Sequence, residues 1–234
     1  MAYCDLTGGF SGGSCWFDSM QLEEGLTLNH FNMVQNNDFS ATNSEGSPKG
    51  WTVGTGSASF VSVLDLNADS ATFPVPTCLQ HDGAKKMRLT GRYDRTVTYY
   101  QQFRHYGKTG DRFSVGGWCS AFAKKQDDDD SVFCRITVQF TAADPVTTSS
   151  YWATGGSAVF NAEEGNWQFT SAGITAPNNC TYIRVILQMN RQMNYADFTG
   201  IYLYPEVFGT QYVYDSNGNC KSSKQLYGGQ EQGI

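Results

Sequence analysis

Apolar and polar residues alternate along most of this chain with a period of two, the spacing of a β-strand that buries one face. In VFCRITVQFT, Cys134, Ile136, Val138 and Phe140 fall on one side and Arg135, Thr137 and Gln139 on the other. CTYIRVILQMN likewise sets Ile183, Val185, Leu187 and Met189 against Tyr182, Arg184, Ile186 and Gln188. SASFVSVLD, KKMRLTG, TVTYYQQFRHY, RFSVGGWCSAFAKK, NWQFTSAGITAP and DFTGIYLY read as further strands, and SAVFN as a short one. ADPVTTSSYWATGG reads as a loop or irregular hairpin, and GKTGD as a tight turn. No amphipathic helix of useful length is evident. About eight to ten antiparallel strands separated by turn signals predict an all-β chain folded as a β-sandwich.

One stretch appears twice. WFDSMQLEEGLTLNHF, near the start, has a weaker copy in DFTGIYLYPEVFGTQY, from Asp197 to Tyr212. Aligning Phe17 with Phe198 also pairs Met20 with Ile201, Leu22 with Leu203 and Phe31 with Tyr212. A lone strand cannot stand by itself, so two copies of one closing strand imply two modules. Residues 1–30 then read as the closing strand and linker of a preceding module, 31–208 as a complete β-sandwich binding module, and 209–234, where YVYDSNGN follows, as the start of a repeat resembling the YD type. The strand within residues 14–22, cut off from its own module, is expected to fold back on the sandwich edge or to pair with a second copy of the chain.

Composition narrows the function. Gly 25, 14% aromatic and only 16% charged residues describe a turn-rich β protein. A net charge of −6 argues against nucleic acid and anionic membranes as partners, and no apolar run is long enough for membrane insertion. The seven cysteines form no metal-ligand spacing with the three histidines. Cys119 and Cys134 sit on strands joined by a charged loop; they read either as a bridge or as small buried hydrophobes.

Two further features carry a resemblance. Tyr212, Tyr214, Asp215, Gly218 and Asn219 match the YxYDxxGN unit of YD-repeat (RHS) proteins. In order along the chain, NMVQNNDFS, GWT, GKTGDRFSVGGWCSA, NWQFTSAGI, TYIRVIL and DFTGIYLYPEVFGTQYVYD resemble the galactose-binding-like modules of secreted YD-repeat proteins from Gram-positive bacteria, relatives of carbohydrate-binding modules. The resemblance implies a jelly-roll-type sandwich with extra terminal segments, an extracellular or cell-surface setting, and a glycan or cell-wall polysaccharide as partner beside neighbouring modules of the same chain. Many such modules hold a structural calcium. Here Asp38 and Asp197 are the candidate ligands, although the closing copy reads Phe198-Thr199-Gly200 where the first has Phe17-Asp18-Ser19. Calcium needs six to eight oxygens, and the sequence offers few. No cofactor is required.

Catalysis finds little support. Glu163 and Glu164 are adjacent, so on a strand they point to opposite faces and make no glycosidase dyad. His30, His81 and His105 have no nucleophile motif beside them. The acidic run Asp127–Asp130 reads as a solvated loop tip. Binding fits better, because a sugar needs an aromatic platform and planar hydrogen-bonding side chains. Outward positions supply Arg135, Gln139, Arg184, Gln188, Tyr100 and Gln102, with Trp118 on a neighbouring strand and Trp152 as the exposed platform. Trp51 and Trp167 are read as core. The reading is a non-catalytic binding module; the alternative is a structural spacer or adhesin-stalk module with no small ligand.

Overall fold

A computed structural model describes residues 32–54, 58–68, 73–80, 82–122, 132–145, 151–162, 165–191, 194–214, 220–227 and 230–231. The segment 1–30, with its proposed self-associating strand, lies outside the described residues, as do His30, His81, Asp127–Asp130, Glu163 and Glu164. The strands are β1 (Thr52–Val53), β2 (Val61–Asp65), β3 (Lys85–Thr90), β4 (Thr96–Gly107) and β5 (Arg112–Phe122). Next come β6 (Phe133–Thr141), β7 (Ala153–Phe160), β8 (Trp167–Thr175), β9 (Cys180–Asn190) and β10 (Tyr195–Pro205). Finally β11 (Val207–Tyr214), β12 (Cys220–Tyr227) and β13 (Gln230–Glu231) make a small sheet of their own. The helical content among the described residues is two short 3-10 turns, Ala58–Phe60 and Thr77–Leu79.

The first ten strands form a jelly-roll-type sandwich of two five-stranded antiparallel sheets, ordered β1-β4-β9-β6-β7 and β2-β3-β10-β5-β8. Neighbours in each sheet are mostly distant in sequence, as crossing connections between two sheets require. The alternation read from sequence sets the core. Cys134, Ile136, Val138 and Phe140 from β6 and Ile183, Val185, Leu187 and Met189 from β9 are fully buried. Facing them are Phe113, Val115 and Cys119 from β5, Met87 and Leu89 from β3, and Phe198, Ile201 and Leu203 from β10. Trp51 is core as expected, packed between Phe39 and Tyr99.

Local features refine the pattern. Phe198 and Ile201 both point inward despite an odd separation, because β10 carries a bulge between Thr199 and Tyr202 with Gly200 at φ 61°. Residues expected in a loop, ATGG, instead open β7. There Gly155 lets the strand run against Phe140 and Ile174, where any Cβ would collide. The NMVQ segment adds to the edge of β10 without joining the sheet as a strand. It runs beside β10, with Met33 N donating to Leu203 O and the Asn32 side chain bonding Ile201 O and Leu203 N.

The Cys119 and Cys134 thiols are free and 3.4 Å apart across the sandwich interior, so the buried reading holds and there is no bridge. Burial, and then the neighbouring thiol, push the Cys119 pKa well above its ordinary value.

Candidate functional site

The face of the first sheet that points away from the core carries most of the polar residues singled out from sequence. Register places Arg184 of β9 opposite Gln102 of β4 on one side and Gln139 of β6 on the other. Gln188 likewise lies between Thr98 and Arg135, and Ile186 between Tyr100 and Thr137. Six of the expected residues, Tyr100, Gln102, Arg135, Gln139, Arg184 and Gln188, therefore share one surface, as strand parity and these pairings demand.

Arg184 is the centre of this surface. Its guanidinium carbon sits 4.2 Å from the Tyr100 ring centroid and 3.9 Å from that of Trp152. Cation–π attraction to both rings holds the guanidinium in place. Nη2 donates to Gln102 Oε1 at 2.8 Å, while Nε is buried and has no partner. Burial lowers the Arg184 pKa from its ordinary value, since the cation has lost water without gaining a counter-charge.

Gln188 organises the second half. Its Oε1 accepts from Arg135 Nε at 2.7 Å and from Thr137 Oγ1 at 2.8 Å, and Thr137 in turn meets Ser157 Oγ at 2.8 Å. The Gln188 amide NH2 takes no part in these bonds. Gln139 Nε2 reaches Thr154 Oγ1 at 3.3 Å. Arg135 stacks on Phe133 at 4.0 Å, and burial lowers its pKa as well.

Between these groups is an open cavity of about 420 Å³. Its walls include Tyr100, Gln139, Arg184 and Gln188, and also Val53, Gly54, Thr98 and Ile186, which the sequence reading left out. Thr98 and Ile186 share parity with Tyr100 and Arg184, so that signal was available for them. Val53 and Gly54 carried none: they reach the wall because β1 lies beside β4, and Gly54 fits there since a Cβ would strike the Thr98 hydroxyl and the Tyr100 ring.

Three expectations are corrected. Trp118 is not part of this surface: β5 belongs to the other sheet, where Trp118 packs on Phe169 at 5.4 Å and, with Trp167, against the Leu66–Val75–Leu79 cluster. Trp152 is not an exposed platform; it is half-buried, one face taken by Arg184. Asp197 is not available as a calcium ligand. Arg88 holds both its oxygens, Nε to Oδ1 at 2.7 Å and Nη2 to Oδ2 at 2.8 Å, and Lys86 Nζ adds a contact to Oδ2 at 2.9 Å.

A dication at Asp197 would meet two cations, so the Asp38–Asp197 pair does not fit calcium. Asp38 itself binds Ser40 through Oδ1, with Oδ2 buried and unpartnered. Its turn is tied to β10 at Ile201, four residues along the chain from Asp197. Among the described residues no cluster of three or more acidic, His or Cys groups is placed to hold a metal.

No family model matches the chain, and no curated protein does. Among solved structures, the enzymatically active domain of tailspike protein 4 from bacteriophage CBA120 superposes with a TM-score of 0.53 at 11% identity, over 75% of this chain and 22% of that one. The present chain thus spans under a quarter of that protein, and the likeness is one of fold. The CBM22-2 xylan-binding domain from Paenibacillus barcinonensis Xyn10C gives a TM-score of 0.45 at 12% identity, over 72% of this chain and 97% of that one. TmCBM61, solved in complex with β-1,4-galactotriose, gives 0.40 at 15% identity, over 75% and 99%.

Proposed function

We propose that this chain is a non-catalytic carbohydrate-binding module within a large extracellular YD-repeat protein. The observation that carries the reading is the Arg184 guanidinium held against the Tyr100 and Trp152 rings at the wall of a cavity that the Gln139 and Gln188 amides also line. Planar amide and guanidinium groups match vicinal hydroxyls, and Tyr100, which is only partly buried, offers an apolar surface to a sugar ring. Glycoside hydrolysis calls for paired carboxylates. The strands β1, β4, β9, β6 and β7 contain no Asp or Glu, which supports binding without cleavage. Support for the YD-repeat and extracellular setting comes from the YxYDxxGN match that runs out of β11.

A glycan array followed by titration calorimetry tests the proposal. Binding of at least one glycan class is expected, weakened tenfold or more by Tyr100→Ala. Failure of the wild type to bind any glycan would leave the spacer reading in its place.

A further inference from the structure

The binding sheet has a charge opposite to that of the protein. The chain as a whole carries −6. Yet the five strands of this sheet contain Arg104, Arg135 and Arg184 and no carboxylate. The cavity lining adds none. All three arginines share the outward parity. Arg104 lies opposite Tyr182, Arg184 opposite Gln102 and Gln139, and Arg135 opposite Gln188. They therefore run diagonally across β4, β9 and β6. Strand spacing of about 4.8 Å and a rise of about 3.4 Å per residue put the Arg184 backbone roughly 8 Å from Arg104 and roughly 14 Å from Arg135.

None of the three is in an ion pair with a described residue; their partners are neutral. Arg104 donates to the hydroxyls of Tyr182 at 3.0 Å and Tyr106 at 3.3 Å, Arg135 to Gln188, and Arg184 to Gln102. Arg184 and Arg135 are also partly desolvated, which makes each a cation that lacks both full hydration and a counter-ion. Such a group favours an anion strongly, and a guanidinium plane held by two rings is preorganised to meet a carboxylate edge-on.

We infer that the ligand of this face is an acidic glycan, a polysaccharide whose uronic acid carboxylates engage the Arg104–Arg184–Arg135 diagonal. The inference rests on the carbohydrate-binding reading and adds the substrate class. A neutral polysaccharide would leave Arg184 desolvated and uncompensated in the complex, whereas a uronate supplies the missing charge.

The test uses the whole chain and a panel of polygalacturonate, alginate, glucuronoxylan and hyaluronate. Each is paired with a form whose carboxyls have been reduced to alcohols, alongside neutral xylan and β-1,4-galactan, and dextran sulfate as a control. One acidic glycan should bind at least tenfold tighter than its reduced form at low salt. That advantage should shrink several-fold between about 20 and 300 mM NaCl, as expected for a charge-driven contact. Arg184→Gln, checked for an unchanged thermal transition, should remove most of the difference between the acidic and reduced forms.

Neutral or reduced glycans binding as tightly as the acidic ones would overturn the inference and leave the carbohydrate-binding reading intact. Dextran sulfate binding as well as the best uronate would assign the face to anions in general and overturn the carboxylate assignment. No binding by any member would overturn the inference, and an empty glycan array beside it would end the carbohydrate-binding reading too. Should Arg184→Gln fail to fold, the carboxyl-reduction and salt comparisons on the wild type decide alone.

Discussion

The guanidinium carbon of Arg184, in the middle of β9, lies 3.9 Å from the ring centroid of Trp152, which stands just ahead of β7. The indole caps a cation that also lies 4.2 Å from the Tyr100 ring centroid. Removing the cap costs a cation–π contact of about 1–2 kcal/mol in a partly desolvated setting. Trp152→Ala is expected to weaken ligand binding by roughly five- to thirtyfold on that energy scale. Trp152→Phe should recover most of the loss. Calorimetric titration of the three proteins checks this; equal affinities for wild type and Trp152→Ala would detach Trp152 from the site.

Asp197 is a structural group. Its side chain is 3% exposed and that of Lys86 4%, while Arg88 also lies 3.6 Å from the Tyr195 ring centroid. Breaking a buried ion pair from one side leaves uncompensated charge, so Asp197→Asn should destabilise the fold by about 3–5 kcal/mol in urea unfolding. Calcium should leave the melting temperature of wild type and variant unchanged. A shift confined to the wild type would restore Asp197 as a ligand.

The cysteines differ in reactivity. Cys119, Cys134 and Cys180 are buried and Cys78 is exposed. Burial raises the Cys119 and Cys180 pKa values, so neither presents thiolate at neutral pH. Brief alkylation of the native protein followed by peptide mass spectrometry should modify Cys78 and spare the other three. Labelling of Cys119 at the rate of Cys78 would contradict the packed interior between the sheets.

His105 gives the fold a pH dependence of known sign. Its ring stands edge-on to Phe113, 5.6 Å between centroids, and burial lowers its pKa against an opposing pull from Asp111. Below its ordinary value of about 6.5, the unfolded chain takes up a proton that the folded chain resists. The contribution is therefore complete above about pH 6.5 and declines as pH falls toward the lower folded value, levelling off beneath it. Urea unfolding across this range should show a shallower slope in His105→Phe than in wild type. Identical slopes would remove His105 as the cause.

Strand parity made much of this protein legible in its sequence. The alternation in β6 and β9 assigns Cys134, Ile136, Val138, Phe140, Ile183, Val185, Leu187 and Met189 to the interior, and so turns Arg135, Gln139, Arg184 and Gln188 outward. The interruption in β10 left a trace too, since Phe198 and Ile201 are an odd number of residues apart, as are Phe17 and Met20 in the first copy.

What parity cannot say is which outward faces are the same face. Trp118 and Tyr100 both point away from the core, but only the long-range pairing of β4 with β9 and of β5 with β10 separates them onto opposite sheets. The cap of Trp152 on Arg184, the capture of Asp197 by Lys86 and Arg88, and the approach of Gly54 to Thr98 arise the same way. Residue pattern along a strand is a local property, dictated by two-residue periodicity. The order of strands is a property of the whole chain, decided where two sheets jointly bury their apolar sides.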